Sequence, residues 1–503
     1  MREISTARLW RGQTIRTRAD VMRMERLHER SRLLRCSLTA GWWAGWLAVM
    51  TVWGCLYVPV LGGALTLGAL AYLALGSWGL LAVAVVGAMV GRLWSRSSPR
   101  TWDSRVVSRL RRFMRRTRYR WSWDDVCAAT GVKATDASHR VIVPRLLWCS
   151  LGEHVDQLHV QLCAGVTPGV IARQADALAC EWCALEVRVL AHPSREGWVL
   201  LRVVYRDVLA EDKDERDNLV TPDFGWLRVG RREDGEPWWL RLMGTHVLIA
   251  GLTGAGKSGL VACIIRALAP AITAGKVRLV GIDPKGGMEY RMVSGLFYML
   301  AYGDDEHLVA ALEFAADLMR QRAEALGGNV RKLLARMFGD YPLYVILVDE
   351  LLALTTYIAN RELKDRANAA VRRMLSQGRA PGVVVIGCVQ DPRKEVLSFR
   401  DMFGYRVALR LDSDVETRMV LSDSAYDRGA RCDAIPEACP GMGFVVDEDG
   451  GKRQPIKVRA DWVSDAELAY LAAEHPAPEQ VEVPPLATRS KRSGGSTSGG
   501  QAA

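Results

Sequence analysis

The chain has 503 residues, a formal net charge of +11 at pH 7 and 49% hydrophobic residues. At about 150 residues per domain, a chain of this length accommodates three or four folded units. The first 120 residues hold 21 arginines, no lysine and five acids, so they carry +16 and the rest of the chain about −5. This asymmetry excludes a uniformly basic protein that coats nucleic acid, and it favours a basic segment lying against a membrane or another anion.

Residues 36–91 are predicted to form a transmembrane helical hairpin. They contain 56 positions without a charged side chain, whereas a single helical crossing needs about 20 apolar residues. Two helices therefore fit, at about 38–57 and 64–90, and they are joined by a turn near Pro59. Such a segment speaks against a purely soluble protein.

Arginines flank this apolar segment on both sides. Ten lie in the basic N-terminal segment 1–35, and eleven lie between Arg92 and Arg120. Positive residues mark the cytoplasmic side, so we expect a multi-pass protein of the cell membrane with both termini in the cytoplasm. Beyond setting topology, the arginines are expected to contact anionic lipid headgroups, and direct contact with DNA is the alternative interpretation.

Residues 92–223 are predicted to be a basic juxtamembrane segment and a small α+β linker module. An amphipathic stretch at 170–183 follows Thr167-Pro168, and apolar alternation at 185–189 and 198–204 indicates strands. Nothing in the module points to chemistry. The charged run 211–217 is predicted to be a solvated linker.

The cysteines are also expected to be structural. Eleven of them are spread along the chain without the spacing of a disulfide framework, which indicates reduced thiols. Cys180 and Cys183 form a CxxC pair, but neither a second pair nor a nearby histidine pair completes four metal ligands. Helical spacing favours a buried structural pair over metal or redox chemistry.

Residues 224–460 are predicted to be an α/β domain, and residues 461–503 a C-terminal helix followed, after about His475, by a disordered tail. A hairpin at 226–241 opens the domain, and apolar strands then alternate with helical segments. That alternation indicates a parallel sheet covered on both faces. The predicted strands are 246–250, 277–282, 343–348, 383–389 and 405–411.

A phosphate-binding loop follows the first of these strands and matches GxxxxGK[ST] in full. Its glycines let backbone N–H groups surround phosphates, and the following helix presents its positive dipole end to them. Lys257 is predicted to reach the β- and γ-phosphates of ATP, and Ser258 to bind Mg²⁺. The loop consists of Gly251, Leu252, Thr253, Gly254, Ala255, Gly256, Lys257 and Ser258.

Polar side chains close three further strands. Asp349 is predicted to ligate Mg²⁺, and Glu350 to orient and deprotonate the attacking water. Gln390 is predicted to sense the γ-phosphate, although a polar strand end is common. Asp283-Pro284-Lys285 closes another strand and is either a simple turn or part of the site.

The order of these elements indicates a RecA-like P-loop ATPase with an added catalytic glutamate, using ATP and Mg²⁺. Residues 375–379, Leu-Ser-Gln-Gly-Arg, resemble the signature of an ABC transporter subunit. That signature precedes the Asp-Glu strand in such proteins, whereas here it follows the strand. An ABC subunit is therefore excluded.

With these residues in view, 224–449 resembles the FtsK/SpoIIIE family of membrane-anchored DNA translocases. The preceding module, with its helix begun by Thr-Pro, is similar to the actinobacterial conjugative-transfer (TraB/TraSA-like) branch, whose members move double-stranded DNA between mycelial cells. The matching pieces are the run 246–258, Asp283-Pro284-Lys285, Val348-Asp349-Glu350-Leu351, Gly378-Arg379-Ala380, Val389-Gln390-Asp391-Pro392 and Glu416-Thr417-Arg418 with Leu421.

This resemblance implies a homo-hexameric ring on double-stranded DNA, with ATP between subunits and an arginine reaching the neighbouring site. Arg379 is the preferred candidate for that arginine, and Arg418 is the alternative. The residues after 449 leave too little room for a winged helix, so reading of DNA sequence is not expected. Residues that either line the pore or are ordinary solvated charges are Arg361, Lys364, Arg372, Arg393, Lys394 and Arg400.

Three functions are compatible with these features. The first is an ATP-driven translocase of double-stranded DNA at a membrane, acting in plasmid or integrative-element transfer or in chromosome segregation. The second is a coupling or type VII secretion ATPase that moves single-stranded DNA or protein. The third is a nucleotide-binding membrane anchor without motor activity, which the hydrolytic Glu350 argues against.

Overall fold

The computed structural model describes residues 77–135, 139–192, 195–210, 225–327, 330–392, 397–447 and 452–486. They belong to two compact units, Met1–Tyr119 and Arg120–Ala503. Several predicted features lie outside the described residues. These are the segment 1–35, the first membrane helix with its turn, the linker 211–217 and the tail from residue 487 onward.

The first unit is helical where it is described. Helix α1 is Ser77–Ser97 and α2 is Pro99–Trp102; a π-helical stretch, Asp103–Val107, leads into α3, Ser108–Ala129. The predicted second membrane helix ends at residue 90, whereas α1 continues to Ser97 because arginine is a good helix former. Among the residues described, no helix has the length and apolar character needed to cross a bilayer.

A small α+β module lies in the second unit, as predicted. It forms an antiparallel four-stranded sheet in the order β3-β4-β6-β5, and a two-stranded ribbon, β1-β2, precedes it. Strand β6 coincides with the predicted strand 198–204. The elements are β1 Ala134–Thr135, β2 Val141–Ile142, β3 Arg145–Leu151, β4 Val155–Gln161, α4 Pro168–Arg173, α5 Ala175–Trp182, β5 Glu186–Ala191 and β6 Trp198–Val204.

Two details of this module differ from prediction. The single amphipathic stretch is two helices, because Gln174 leaves helical geometry at φ −103° and ψ 9°. Cys180 and Cys183 are exposed rather than buried. The reason is that α5 ends at Trp182 and Cys183 adopts a left-handed conformation, so the pair does not share a helix face. Trp182 fills the core instead and stacks on Trp123 at a ring-centroid distance of 6.0 Å.

The predicted α/β domain is built on a ten-stranded sheet in the order β11-β10-β12-β13-β9-β14-β15-β16-β7-β8. The strands from β11 to β14 are parallel, and the remaining pairings are antiparallel. The predicted parallel sheet is therefore one part of a mixed sheet, which the predicted hairpin completes as β7 and β8. The strands are β7 Trp226–Arg232, β8 Pro237–Arg241, β9 Val247–Ala250, β10 Val277–Asp283, β11 Phe297–Tyr302, β12 Leu343–Val348, β13 Val383–Val389, β14 Tyr405–Leu409, β15 Met442–Asp447 and β16 Lys452–Ala460.

Helices cover both faces of this sheet. Alternate residues of β12 enter opposite cores: Ile346 packs with the helices α7 and α9, and Val345 packs with α6 and α13. The double covering was predicted from the continuous apolar strands. The helices are α6 Lys257–Thr273, α7 Asp305–Leu326, α8 Leu351–Thr355, α9 Arg361–Gln377, α10 Leu397–Arg400, α11 Asp414–Leu421, α12 Asp423–Asp427 and α13 Asp465–Glu474.

The chain beyond α13 runs along the β11 side of the sheet. Its segment 475–486 was predicted to be disordered, but Ala477 N donates to Gly295 O and Val481 N to Tyr298 O, both at 2.8 Å. Apolar residues among the prolines explain the difference, because Val481, Val483 and Leu486 pack against the core.

The α+β module contacts the β7–β8 end of the ten-stranded sheet through buried charges. Glu233, in the turn between β7 and β8, is 3% exposed. Arg188 of β5 pairs with it at 2.6 Å, and Arg202 of β6 binds its other carboxylate oxygen. The two arginines are directly opposite each other on neighbouring strands. Glu233 of the ten-stranded sheet's hairpin therefore binds two strands of the α+β module.

Candidate nucleotide-binding site

The phosphate-binding loop lies between β9 and α6, as predicted. Gly254 and Gly256 have φ of +74° and +97°, a conformation that side-chain-bearing residues rarely adopt. A Cβ at Gly256 would collide with the backbone of Gly441. Gly441 N in turn donates to Ala255 O at 2.8 Å. The segment before β15 therefore supports the loop from behind.

Lys257 begins α6, directly after this loop. Its ammonium donates to Gly251 O at 2.7 Å and to Leu252 O at 3.0 Å. The side chain is buried, and burial lowers the pKa of Lys257. The Lys257 side chain thus lies against the phosphate-binding loop, with which it is predicted to bind the phosphates.

Asp349 and Glu350 follow β12, the second strand over from β9. Both are buried, at 4% and 7% exposure. Glu350 is the N-cap of α8, where its Oε1 accepts from Leu352 N at 3.3 Å. Burial raises the pKa of Glu350 to about 7, while the hydrogen bond from Leu352 and the two nearby lysines oppose the rise. A carboxyl group with a pKa near neutrality is suited to general-base catalysis.

Gln390 lies beside the loop from the neighbouring strand, β13. Gly251 N donates to Val389 O at 3.1 Å, which joins the end of β13 to the start of the loop. Thr253 Oγ1 then donates to Gln390 Oε1 at 3.3 Å. The structure thus brings Gln390 to the loop, and its sensing role stays a prediction.

Lys285 is a site residue whose contact with the acids the sequence did not reveal. Its ammonium lies 2.6 Å from Asp349 Oδ2. The signal was present, since Asp283-Pro284-Lys285 closes β10, which pairs in parallel with β12. Read alone, those residues were equally compatible with a simple turn.

Arg410 is a second residue that the prediction missed. Its backbone oxygen accepts from Leu252 N at 3.0 Å, and its guanidinium lies 3.5 Å from Thr253 O. It also pairs with Glu437 at 3.6 Å. The predicted strand ran to residue 411, whereas β14 ends at Leu409, so Arg410 is the charged residue directly after the strand next to β9.

The two arginines considered as trans-acting lie elsewhere. Arg379 Nε donates to Gly244 O at 2.8 Å, which places it near the amino ends of β9 and β13, opposite the phosphate-binding loop. Arg418 pairs with three carboxylates at 3.1–3.7 Å. These carboxylates belong to Asp414, Asp423 and Asp427.

The predicted pore residues that the structure describes make different contacts. Arg361 is exposed at the start of α9, Arg372 lies over the ring of Phe399 at 5.3 Å, and Arg400 donates to Met419 O at 2.8 Å. Arg393 and Lys394 lie outside the described residues.

The residues present fit ATP with Mg²⁺. The glycine loop allows close approach of phosphates, and Ser258 and Asp349 supply the oxygen ligands that Mg²⁺ prefers. Mg²⁺ is commonly bound by one or two protein groups together with phosphates and water. The described part of the chain contains no cluster of three or more His, Cys, Asp or Glu that could hold a metal ion.

Residues 228–435, which contain the phosphate-binding loop, Lys285, Asp349, Glu350 and Gln390, match the family model of the FtsK/SpoIIIE family. The match covers less than half of this chain, and it shows that this region is similar to that family. It is 24% identical over 369 residues to the DNA translocase FtsK of Listeria monocytogenes, covering 69% of this chain and 45% of that protein. It is 25% identical over 342 residues to the DNA translocase SpoIIIE of Bacillus subtilis, covering 63% of this chain and 41% of that protein.

The matched region thus spans less than half the length of these relatives. A solved structure, the pCW3 conjugation coupling protein TcpA as a monomer with ATPγS, is similar at 15% identity with a TM-score of 0.47. The alignment covers 72% of this chain and 99% of that one.

Proposed function

We propose that this chain is a membrane-anchored motor that hydrolyses ATP to translocate double-stranded DNA, acting in conjugative transfer. The observation that carries the proposal is the convergence of Lys257, Asp349 and Glu350 at one edge of a family domain shared with DNA translocases. The runner-up, a coupling or secretion ATPase for single-stranded DNA or protein, is an outcome of the test below.

Each residue of the site has a separate task in hydrolysis. The loop amides and Lys257 bind the phosphates. Ser258 and Asp349 would hold Mg²⁺, which when bound would neutralise charge on the phosphates, and Glu350 takes the proton of the attacking water. Gln390 reports the state of the phosphates to the loop through Thr253.

The motor is expected to work as a homo-hexameric ring in which Arg379 completes the neighbouring site. Because Arg379 lies opposite its own phosphate-binding loop, the role proposed for it is in trans. Mixing Glu350→Gln subunits with Arg379→Ala subunits should restore some hydrolysis, because certain interfaces then pair an intact glutamate with an intact arginine. If rings form but no ratio restores activity, Arg379 is not that residue.

Cargo is tested with the full chain in detergent. ATP hydrolysis is measured with duplex DNA, with single-stranded DNA and without DNA, and displacement of a triplex strand reports movement along a duplex. We expect stimulation and displacement on duplexes of unrelated sequence, both falling as salt rises, because phosphate contacts carry no base information. Stimulation by single strands or by a protein alone would favour the runner-up.

Membrane anchoring rests on the uncharged residues 36–91 and their arginine flanks. A cysteine placed between Pro59 and Gly63 should react with an impermeant reagent added outside the cell. Cysteines at positions 5 and 230 should be protected. External labelling at either of those two positions contradicts the proposed topology.

A further inference from the structure

Lys285 stands near the start of a loop built around one buried acid. Asp283 is fully buried, and its Oδ1 accepts from Lys285 N at 2.9 Å. Its Oδ2 accepts from Glu289 N at 2.9 Å and from Tyr290 N at 3.3 Å. These bonds fix the backbone of residues 283–290, so the position of Lys285 is set by β10 rather than by a free loop.

From this position Lys285 reaches the acid predicted to orient the metal. β10 and β12 run in parallel with Ile282 opposite Val348, so Asp349 lies beside the end of β10. The Lys285 ammonium lies 2.6 Å from Asp349 Oδ2. The two side chains differ in exposure, 37% for the lysine and 5% for the aspartate. The lysine therefore has an exit toward solvent, whereas the carboxylate has none.

We propose that Lys285 competes with the divalent cation for Asp349 and so makes metal binding depend on the nucleotide. The proposal rests on the proposed function, since it takes the site as one for Mg²⁺ and ATP. A cation arriving alone has Ser258 and Asp349 as protein ligands, and it must displace the ammonium from the carboxylate. A cation arriving with ATP brings phosphate oxygens that compensate for the broken ion pair.

Lysine suits this role better than arginine. Its ammonium is a strongly hydrated point charge on a flexible four-carbon stem, so it can leave a carboxylate without breaking a bidentate pair. Glu350 and Lys257 belong to the same charge cluster, but Lys257 donates to loop carbonyls rather than to Asp349. Lys285 is thus a positioning residue that acts through Asp349.

The test measures binding of Mn²⁺, in place of Mg²⁺, to the full chain without nucleotide, by electron paramagnetic resonance of the free ion. Lys285→Met should bind Mn²⁺ about tenfold more tightly than the unmodified chain, which is the size of effect expected from a charge-assisted contact. Lys276→Met, at the exposed opposite end of β10, should bind as the unmodified chain does. Adding Asp349→Asn to Lys285→Met should cancel the gain.

Two further variants separate competition from a structural tie. Lys285→Arg keeps the charge and should keep weak Mn²⁺ binding, while Lys285→Gln should behave like Lys285→Met. Unchanged Mn²⁺ affinity in folded Lys285→Met and Lys285→Gln would overturn the proposal, as would a gain that persists with Asp349→Asn. A lowered melting temperature with unchanged affinity would show a structural tie only.

The titration contains neither nucleotide nor DNA, so it does not depend on hydrolysis or translocation. A chain that fails the triplex test yet shows the Mn²⁺ gain would refute the motor and keep Lys285 as the competitor. The coupling is checked with a fluorescent ADP analogue. The ratio of its affinities with and without Mg²⁺ should change in Lys285→Met and stay unchanged in Lys276→Met.

Discussion

Two buried charge clusters of the second unit have opposite designs. At the nucleotide edge, Asp349 and Glu350 face two lysines, and burial raises the pKa of Glu350 to about 7. At the docking interface, Glu233 is held by two arginines, each 7% exposed. Lysines can be exchanged for a metal or a phosphate, whereas arginines at short range hold an acid in place. The ion pairs of the first cluster can therefore be exchanged for ligands, whereas those of the second cluster hold the module in place.

The largest effect that distinguishes the two clusters is expected from substitution of Glu350. Glu350→Gln should lower the turnover number by about 10²–10⁴-fold, because the base is lost while the loop is intact. Binding of a fluorescent ATP analogue should be retained in Glu350→Gln and lost in Lys257→Ala. Turnover close to that of the unmodified chain in Glu350→Gln would remove Glu350 from the catalytic role.

Breaking the second cluster should affect stability. Glu233→Ala removes the acid that Arg188 and Arg202 share, and Arg188 keeps its pair with Glu186 at 2.7 Å. Removing one partner of a buried ion pair costs about 3–5 kcal/mol. Urea unfolding of the full chain measures the loss. Glu236→Ala changes an exposed acid of the same turn and should cost far less. Equal effects would mean that Glu233 does not hold the module.

The pH dependence of hydrolysis reports the first cluster alone. Because the pKa of Glu350 is about 7, the base is progressively protonated below that pH. The value of kcat/KM should therefore fall about tenfold for each pH unit below 7, since kcat/KM follows ionisations of the free enzyme. In Glu350→Gln the residual activity should lack this acid limb; a limb that remains would assign it to another group.

The smallest effect is expected at the contact between Thr253 and Gln390. Thr253→Val removes the hydroxyl donor, and a single hydrogen bond contributes about 1 kcal/mol. In a double-mutant cycle with Gln390→Ala, kcat/KM should show a coupling of that size. Thr273→Val, at the other end of α6, should show none. Additive effects of Thr253→Val and Gln390→Ala would mean that the contact does not transmit.

The sequence predicted the strands at the nucleotide edge because their pattern is local. β12 and β13 have the predicted bounds, since continuous apolar runs between polar residues define buried parallel strands. The phosphate loop needs glycines at fixed positions, and these are visible in the sequence. Arg410 was missed because two residues at the end of β14 were assigned to the strand.

Long-range features could not be read in the same way. β15 and β16 are held in the sheet by antiparallel pairing with β14 and β7, and β7 lies far from β16 in the sequence. In the buried cluster, Glu233 pairs with Arg202, 31 positions earlier in the sequence, and with Arg188, 45 positions earlier. The sequence indicated only a hairpin turn around Glu233 and two ordinary strands around the arginines. The contact of Lys285 depends on how Asp283 folds its own loop.

The segment after α13 covers the edge strand β11 of the sheet. β11 is an outermost strand of the ten, and an uncovered outermost strand offers its backbone to other chains. Ala477 and Val481 donate to the backbone of Gly295 and Tyr298, and Glu479 pairs with Arg278 of β10 at 2.5 Å. The segment 475–486 thus covers the β11 edge and hinders pairing of this edge with a strand of another chain. Truncation after Glu474 should leave nucleotide binding intact and make the protein prone to aggregate.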